Sequence, residues 1–153
     1  MNAPRTQRHA FEAFVQKLDP DMMLTFNFQR CVSFEHIQKS ATLFMNKMQR
    51  EVLGRRWRQY PIEMRPRLIG VAEHLDRMYY DNPHMHGALS APEPYVQYLS
   101  TPESKELWRA SGQHCRQLDA EETRDADRMV RYMFKSTHGR DWTDNVFIYA
   151  PAG

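Results

Sequence analysis

The chain has 153 residues, 41% of them hydrophobic and 26% charged, so one globular domain with one core is expected. A formal net charge of +2 is too small to point to a class of partner. The two cysteines, Cys31 and Cys115, lie too far apart for a disulfide framework or a zinc ribbon; no apolar run is long enough for a bilayer, and the polar Met1–Ala10 stretch lacks a signal core, so a soluble cytoplasmic protein is expected.

In chain order, Arg5–Leu18 reads as a short amphipathic helix with Phe11, Phe14, Val15 and Leu18 on one side, stopped at Asp19-Pro20-Asp21. Met22–Phe28 alternates as a strand and is taken as a central core strand. Ser33 caps a long helix that carries Ile37, Ala41, Phe44, Met45 and Met48 at helical spacing and ends at Gly54. A proline-marked loop over 60–66 follows. Strands are then predicted over Arg67–Leu75 and His84–Ser90, joined as a hairpin through Tyr80-Asp81-Asn82-Pro83. Thr101-Pro102-Glu103 opens a helix that runs to about Ala110. Gln113–Leu118 reads as a weaker strand, Glu121–Ser136 as a helix and Val146–Tyr149 as a last short strand. The expected fold is α+β, with an antiparallel sheet and helices packed mainly on one face.

Three groups of residues carry chemistry. His84 and His86 stand two apart on a strand, so both imidazoles point to one face. The preceding strand offers Glu73 as a third ligand. Two imidazoles and a carboxylate suit one Mg²⁺ or Mn²⁺ ion acting on phosphate, and would also hold Zn²⁺ or Ni²⁺. Tyr132 and Lys135, three apart on a helix, share an edge. A tyrosine hydroxyl can attack a phosphodiester, and a neighbouring lysine can stabilise the charge. Arg55, Arg56 and Arg58, with Arg65 and Arg67 close behind, offer guanidinium forks to phosphate, and Trp57 and Tyr60 between them offer rings to unpaired bases. Each group also has a structural reading: hydrogen-bonded histidines, an interfacial tyrosine with a snorkelling lysine, and a solvated basic surface.

In their order along the chain, these features resemble the HUH superfamily, which includes rolling-circle replication initiators of plasmids and phages, relaxases and single-strand transposases. Met22-Met23-Leu24-Thr25-Phe26 is similar to the second half of the family's first motif, with Met23 departing from it. Pro83-His84-Met85-His86-Gly87 is similar to its histidine motif, Glu73 holds the place of the third ligand, and Tyr132 with Lys135 fits Tyr-x-x-Lys. Leu107-Trp108-Arg109-Ala110-Ser111-Gly112 looks like the tryptophan–glycine segment that precedes the tyrosine motif in bacterial initiators. The resemblance covers roughly residues 20 to 137. It implies a ferredoxin- or RRM-like palm and a metal-dependent endonuclease that nicks and joins single-stranded or hairpin DNA through a 5′-phosphotyrosine link at Tyr132. Host replication proteins are further expected partners. Two other readings stand beside it: a non-cutting nucleic-acid-binding regulator or inhibitor on the same fold, and an α+β domain in which Cys31 or Cys115 joins the histidines around a structural metal.

Overall fold

Strand β1, Met22–Phe28, sits near the middle of the sheet because alternate residues on both of its faces are covered. Its even-numbered residues, Met22, Leu24, Phe26 and Phe28, enter the larger core; Met23 enters a smaller core on the other face. The structure is a computed structural model that describes residues 3–30, 32–73, 83–134 and 143–151. Among the described residues the sheet has five strands in the order β4-β1-β3-β2-β5, with β2 Arg67–Glu73, β3 His84–Ser90, β4 Cys115–Glu122 and β5 Val146–Tyr149. Every pairing is antiparallel.

Five helices complete the described fold: α1 Ala3–Leu18, α2 Phe34–Leu53, α3 Glu93–Leu99, α4 Pro102–Arg109 and α5 Ala126–Met133. From β1 to β4 the order is strand, helix, two strands, helices, strand, with the sheet order 4-1-3-2. That is the ferredoxin-like arrangement, extended by α1 before β1 and by α5 and then the edge strand β5 after β4. Helices α2, α3 and α4 pack on one face, around the larger core; α1 and α5 cover part of the opposite face around Phe11, Val15, Ile69, Val71, Met129 and Met133. The α+β sheet with helices packed on it is therefore observed, the larger helical layer lying on one side. No helix of the described residues is long and apolar enough to cross a membrane.

Local chemistry explains the long helix. The Ser33 side chain accepts from the His36 N–H at 3.1 Å, and Gly54 ends α2 at φ 86°, ψ −174°, a region open essentially to glycine alone. The larger core is centred on Trp108, which is fully buried. Its ring meets Phe26 at 4.8 Å, Phe28 at 5.3 Å and Phe44 at 5.8 Å in edge-on contacts, and its Nε1–H donates to the Asn27 carbonyl at 3.3 Å. Trp108 thus ties α4 to β1 and α2. At Gly112, in the turn after α4, a Cβ would run into the Ser40 side chain of α2, so a glycine lets the turn lie close on that helix.

The main differences from the sequence reading lie in one helix and two boundaries. Helix α3 falls in a stretch with no expected element; Pro94 looks like a breaker but occupies the first turn, where its missing N–H costs nothing, and Tyr95, Val96 and Leu99 form the buried stripe. Strand β4 runs to Glu122 instead of Leu118, because β1 remains available to pair as far as Met22↔Glu122. Helix α5 consequently begins at Ala126 instead of Glu121, capped by Asp125, whose carboxylate accepts from the Arg128 N–H at 3.0 Å. The predicted ends of the hairpin strand at Leu75 and of the last helix at Ser136 lie outside the described residues.

Candidate metal centre

The register of the β2–β3 hairpin builds the site. Glu73 pairs with His84 and Val71 with His86, while across β1 Asn27 pairs with His84 and Thr25 with His86. Alternation puts Glu73, His84, His86, Thr25 and Asn27 all on the face that carries α1 and α5, and sends Met85 into the larger core. His84 Nε2 lies 3.0 Å from Glu73 Oε2, and His86 Nε2 lies 4.0 Å from the same oxygen. The two imidazole rings stand edge to face with centroids 4.7 Å apart. Glu73 is 5% exposed and His86 8%, with His84 half-buried.

A buried carboxylate facing two imidazoles can hold a metal ion. A small divalent ion sits about 2.0–2.2 Å from each N or O donor, which places cis donors roughly 3–4 Å apart. One donor atom from each of Glu73, His84 and His86 lies within 4.8 Å of the others, and the two separations to the shared carboxylate oxygen, 3.0 and 4.0 Å, already match. The donor chemistry and these spacings therefore suit a divalent ion once the donors close up around it.

Tyr132 lies over this cluster. Helix α5 is docked on the sheet by Met129, Val130 and Met133 and is tied to α1 by the Phe11–Phe134 ring contact at 5.2 Å and by Gln16 Nε2 donating to Asp127 at 2.8 Å. That placement brings the Tyr132 ring edge-on to His86, with centroids 5.6 Å apart, and leaves the residue 41% exposed. Tyr132 thus combines contact with the metal cluster and access from solvent. Lys135, Tyr79 and Tyr80 lie outside the described residues.

The arginine group does not join this cluster. Arg67 pairs with Ser90 at the far end of the hairpin from the Glu73–His84 pair. Six residues of strand separate Arg67 from Glu73, roughly 20 Å at the usual rise. Arg55 and Arg56 follow the end of α2 and, with Tyr60 and Gln59, line an open cavity of about 550 Å³. Arg58 and Arg65 enclose Trp57, their guanidinium carbons 4.4 and 5.1 Å from its ring centroid, and Trp57 is 6% exposed. Arg65 also donates through Nε to the buried Gln49 side chain at 2.9 Å. Trp57 and Arg65 therefore anchor the loop after α2, whereas Arg55, Arg56, Arg58, Arg67 and Tyr60 face solvent.

The sequence reading passed over Thr25 as part of a core strand. Its Oγ1 lies 3.0 Å from His86 Nδ1. The signal was present in the alternation: Leu24 and Phe26 are core residues, so Thr25 must face the histidine side. Asn27 on the same face donates to Asp119 at 3.2 Å, tying β4 to β1 beside the site. Cys115 sits in the larger core on the opposite face, apart from the histidines, where burial pushes its thiol pKa up; Cys31 lies outside the described residues. Compared with protein-family models, curated proteins and solved structures, the chain matches none.

Proposed function

We propose that the protein is an HUH-type endonuclease that nicks and rejoins single-stranded DNA through Tyr132, acting in replication initiation of a plasmid- or phage-like element. The observation that supports this reading above others is a convergence. A histidine pair from β3, a carboxylate from β2 and a solvent-accessible tyrosine from α5 meet on one sheet face, although up to 59 positions of sequence separate them. A purely structural metal site has no use for an exposed tyrosine ring 5.6 Å from one of its ligands.

In this reading Glu73, His84 and His86 hold one Mg²⁺ or Mn²⁺ ion, which when bound supplies Lewis-acid polarisation of a phosphodiester. Tyr132 attacks in line through its hydroxyl oxygen. The phosphorus–tyrosine oxygen bond forms, the bond from phosphorus to the 3′ oxygen breaks, and the proton leaving the tyrosine is matched by one taken up at the departing 3′ oxygen. Attack by a 3′-hydroxyl on the phosphotyrosine reverses the same exchange and rejoins a strand. Packing through Met129, Val130 and Met133 holds the helix that aims Tyr132. Lys135 is assigned to charge on the phosphate, and Arg55, Arg56, Arg58 and Arg67 to phosphates elsewhere on the strand.

The test is incubation with pools of labelled single-stranded DNA and Mn²⁺, followed by denaturing electrophoresis. A covalent protein–DNA band is expected from the native chain and none from Tyr132→Phe, which keeps the ring and removes only the attacking oxygen. Capture that survives in Tyr132→Phe and disappears in Tyr80→Phe overturns the assignment. Binding of DNA without any covalent band favours the non-cutting regulator.

A further inference from the structure

We infer that Thr25 is a positioning residue for the metal centre: its hydroxyl accepts the Nδ1–H of His86 and so holds that imidazole in the tautomer whose Nε2 can ligate. The inference rests on the metal-site reading above. Three observations carry it. Thr25 pairs directly with His86 across the β1–β3 ladder, so backbone register sets the two side chains opposite each other on one face. Thr25 Oγ1 and His86 Nδ1 are 3.0 Å apart in a partly buried setting. His86 Nε2 is the ring nitrogen turned toward Glu73, at 4.0 Å.

The chemistry follows from one hydrogen. A neutral imidazole carries a proton on one nitrogen and a lone pair on the other. If Nδ1 holds the proton and gives it to Thr25, the lone pair on Nε2 faces the carboxylate and the site is ready for an ion. If the hydroxyl donated to Nδ1 instead, Nε2 would carry hydrogen and could not ligate. Metal-bound histidines commonly donate their other N–H to an oxygen that fixes the ring in this way. Thr25 is also well chosen mechanically. A β-branched side chain on a strand has restricted χ1, so its hydroxyl is held where the register places it.

The experiment uses the full chain without metal and then with Mn²⁺. Nitrogen-15 spectra of the metal-free protein are expected to show His86 protonated on Nδ1. Thr25→Val keeps the branched shape and removes the hydroxyl; it is expected to shift His86 toward the Nε2–H form. It should also weaken Mn²⁺ binding by roughly 10–100-fold. Thr25→Ser, which returns the oxygen, should recover both. Equal thermal midpoints in the absence of metal show that the variants fold alike. An unchanged His86 tautomer in Thr25→Val, or a well-folded Thr25→Ser that behaves like Thr25→Val, overturns the role of Thr25. The metal reading fails separately, and visibly, if the His84→Ala/His86→Ala double variant binds Mn²⁺ as well as the native chain.

Discussion

Adding Mn²⁺ to the metal-free protein is expected to raise its melting temperature, and the size of the rise can be worked from the site. The two histidine donors already stand 3.0 and 4.0 Å from the same Glu73 carboxylate oxygen, on neighbouring strands in fixed register. Little binding energy is therefore lost in ordering them. An ion that binds only the folded chain stabilises it by about 2.7 kcal/mol at 100 times its dissociation constant. For a chain of this length one kcal/mol moves the midpoint by about 2–4 °C, so a rise of about 5–11 °C is expected. The control is His84→Ala/His86→Ala. It removes a hydrogen-bond partner from the buried Glu73 carboxylate, at a cost of about 1–3 kcal/mol, so its midpoint without metal should already be lower. The informative quantity is the change on adding metal, measured by differential scanning fluorimetry at fixed pH and salt. The double variant should show none. An equal rise in the double variant, or no rise in the native chain at millimolar Mn²⁺, refutes the metal centre.

Trp108→Ala should cost about 3–5 kcal/mol in denaturant unfolding, because the ring is fully buried among Phe26, Phe28 and Phe44; a loss under 1 kcal/mol would contradict the packing described. Tyr95→Phe should raise stability by about 1 kcal/mol at neutral pH, since the Tyr95 hydroxyl is buried without a hydrogen-bond partner among the described residues. Burial also pushes the Tyr95 pKa up to about 12, so the folded state holds that proton more tightly than the unfolded chain. Its contribution is therefore complete below about pH 10 and is lost as pH climbs from 10 toward 12; Tyr95→Phe should flatten that part of the stability–pH curve.

The parts of the fold that could be read in the sequence were those with strong periodicity. Met22–Phe28, the helix capped by Ser33, and His84–Ser90 all appear where alternation, capping or helical spacing puts them. The stretch over 91–99 was missed because a proline at a helix start and a proline that breaks a helix are the same letter. The boundary between β4 and α5 was misplaced because Glu121 and Glu122 suit the first turn of a helix by charge. They became strand because β1 offers partners that far, and pairing with a distant strand leaves no trace in local composition. At the site, the two histidines and Glu73 were legible since strand periodicity and a hairpin fix their faces. Thr25 was not, because its importance depends on which residue of β3 lies opposite it. Trp57, counted as a ring for bases, lies under two guanidinium groups, an arrangement decided by how the loop folds back on the end of α2.

The separation of the arginines from the metal cluster leads to a division of labour that can be measured. Arg67 and Glu73 share a face of β2 but stand roughly 20 Å apart, and Arg55, Arg56 and Arg58 lie in the segment after α2, a helix of the opposite layer. On the proposed reading, Arg67 stands too far along the hairpin to touch a phosphate held over His86. On that reading the group would anchor a strand that runs along the hairpin and would leave charge at the attacked phosphate to other groups. Replacing Arg55, Arg56 and Arg58 with glutamine should therefore weaken DNA binding. If all three contact phosphate, the slope of log affinity against log salt should fall by about 2 for single-stranded DNA. Adduct formation at saturating protein should be untouched, since every DNA molecule is then bound and the chemistry at Tyr132 is intact. Tyr132→Phe should do the reverse, leaving affinity and salt slope as they were and removing the adduct. Binding is read by fluorescence anisotropy across a salt series, and adduct by gel under single-turnover conditions. If the arginine variant loses its adduct even at saturation, the strand must fold back so that these arginines meet the scissile phosphate. If its salt slope does not change, the DNA takes another path across the sheet.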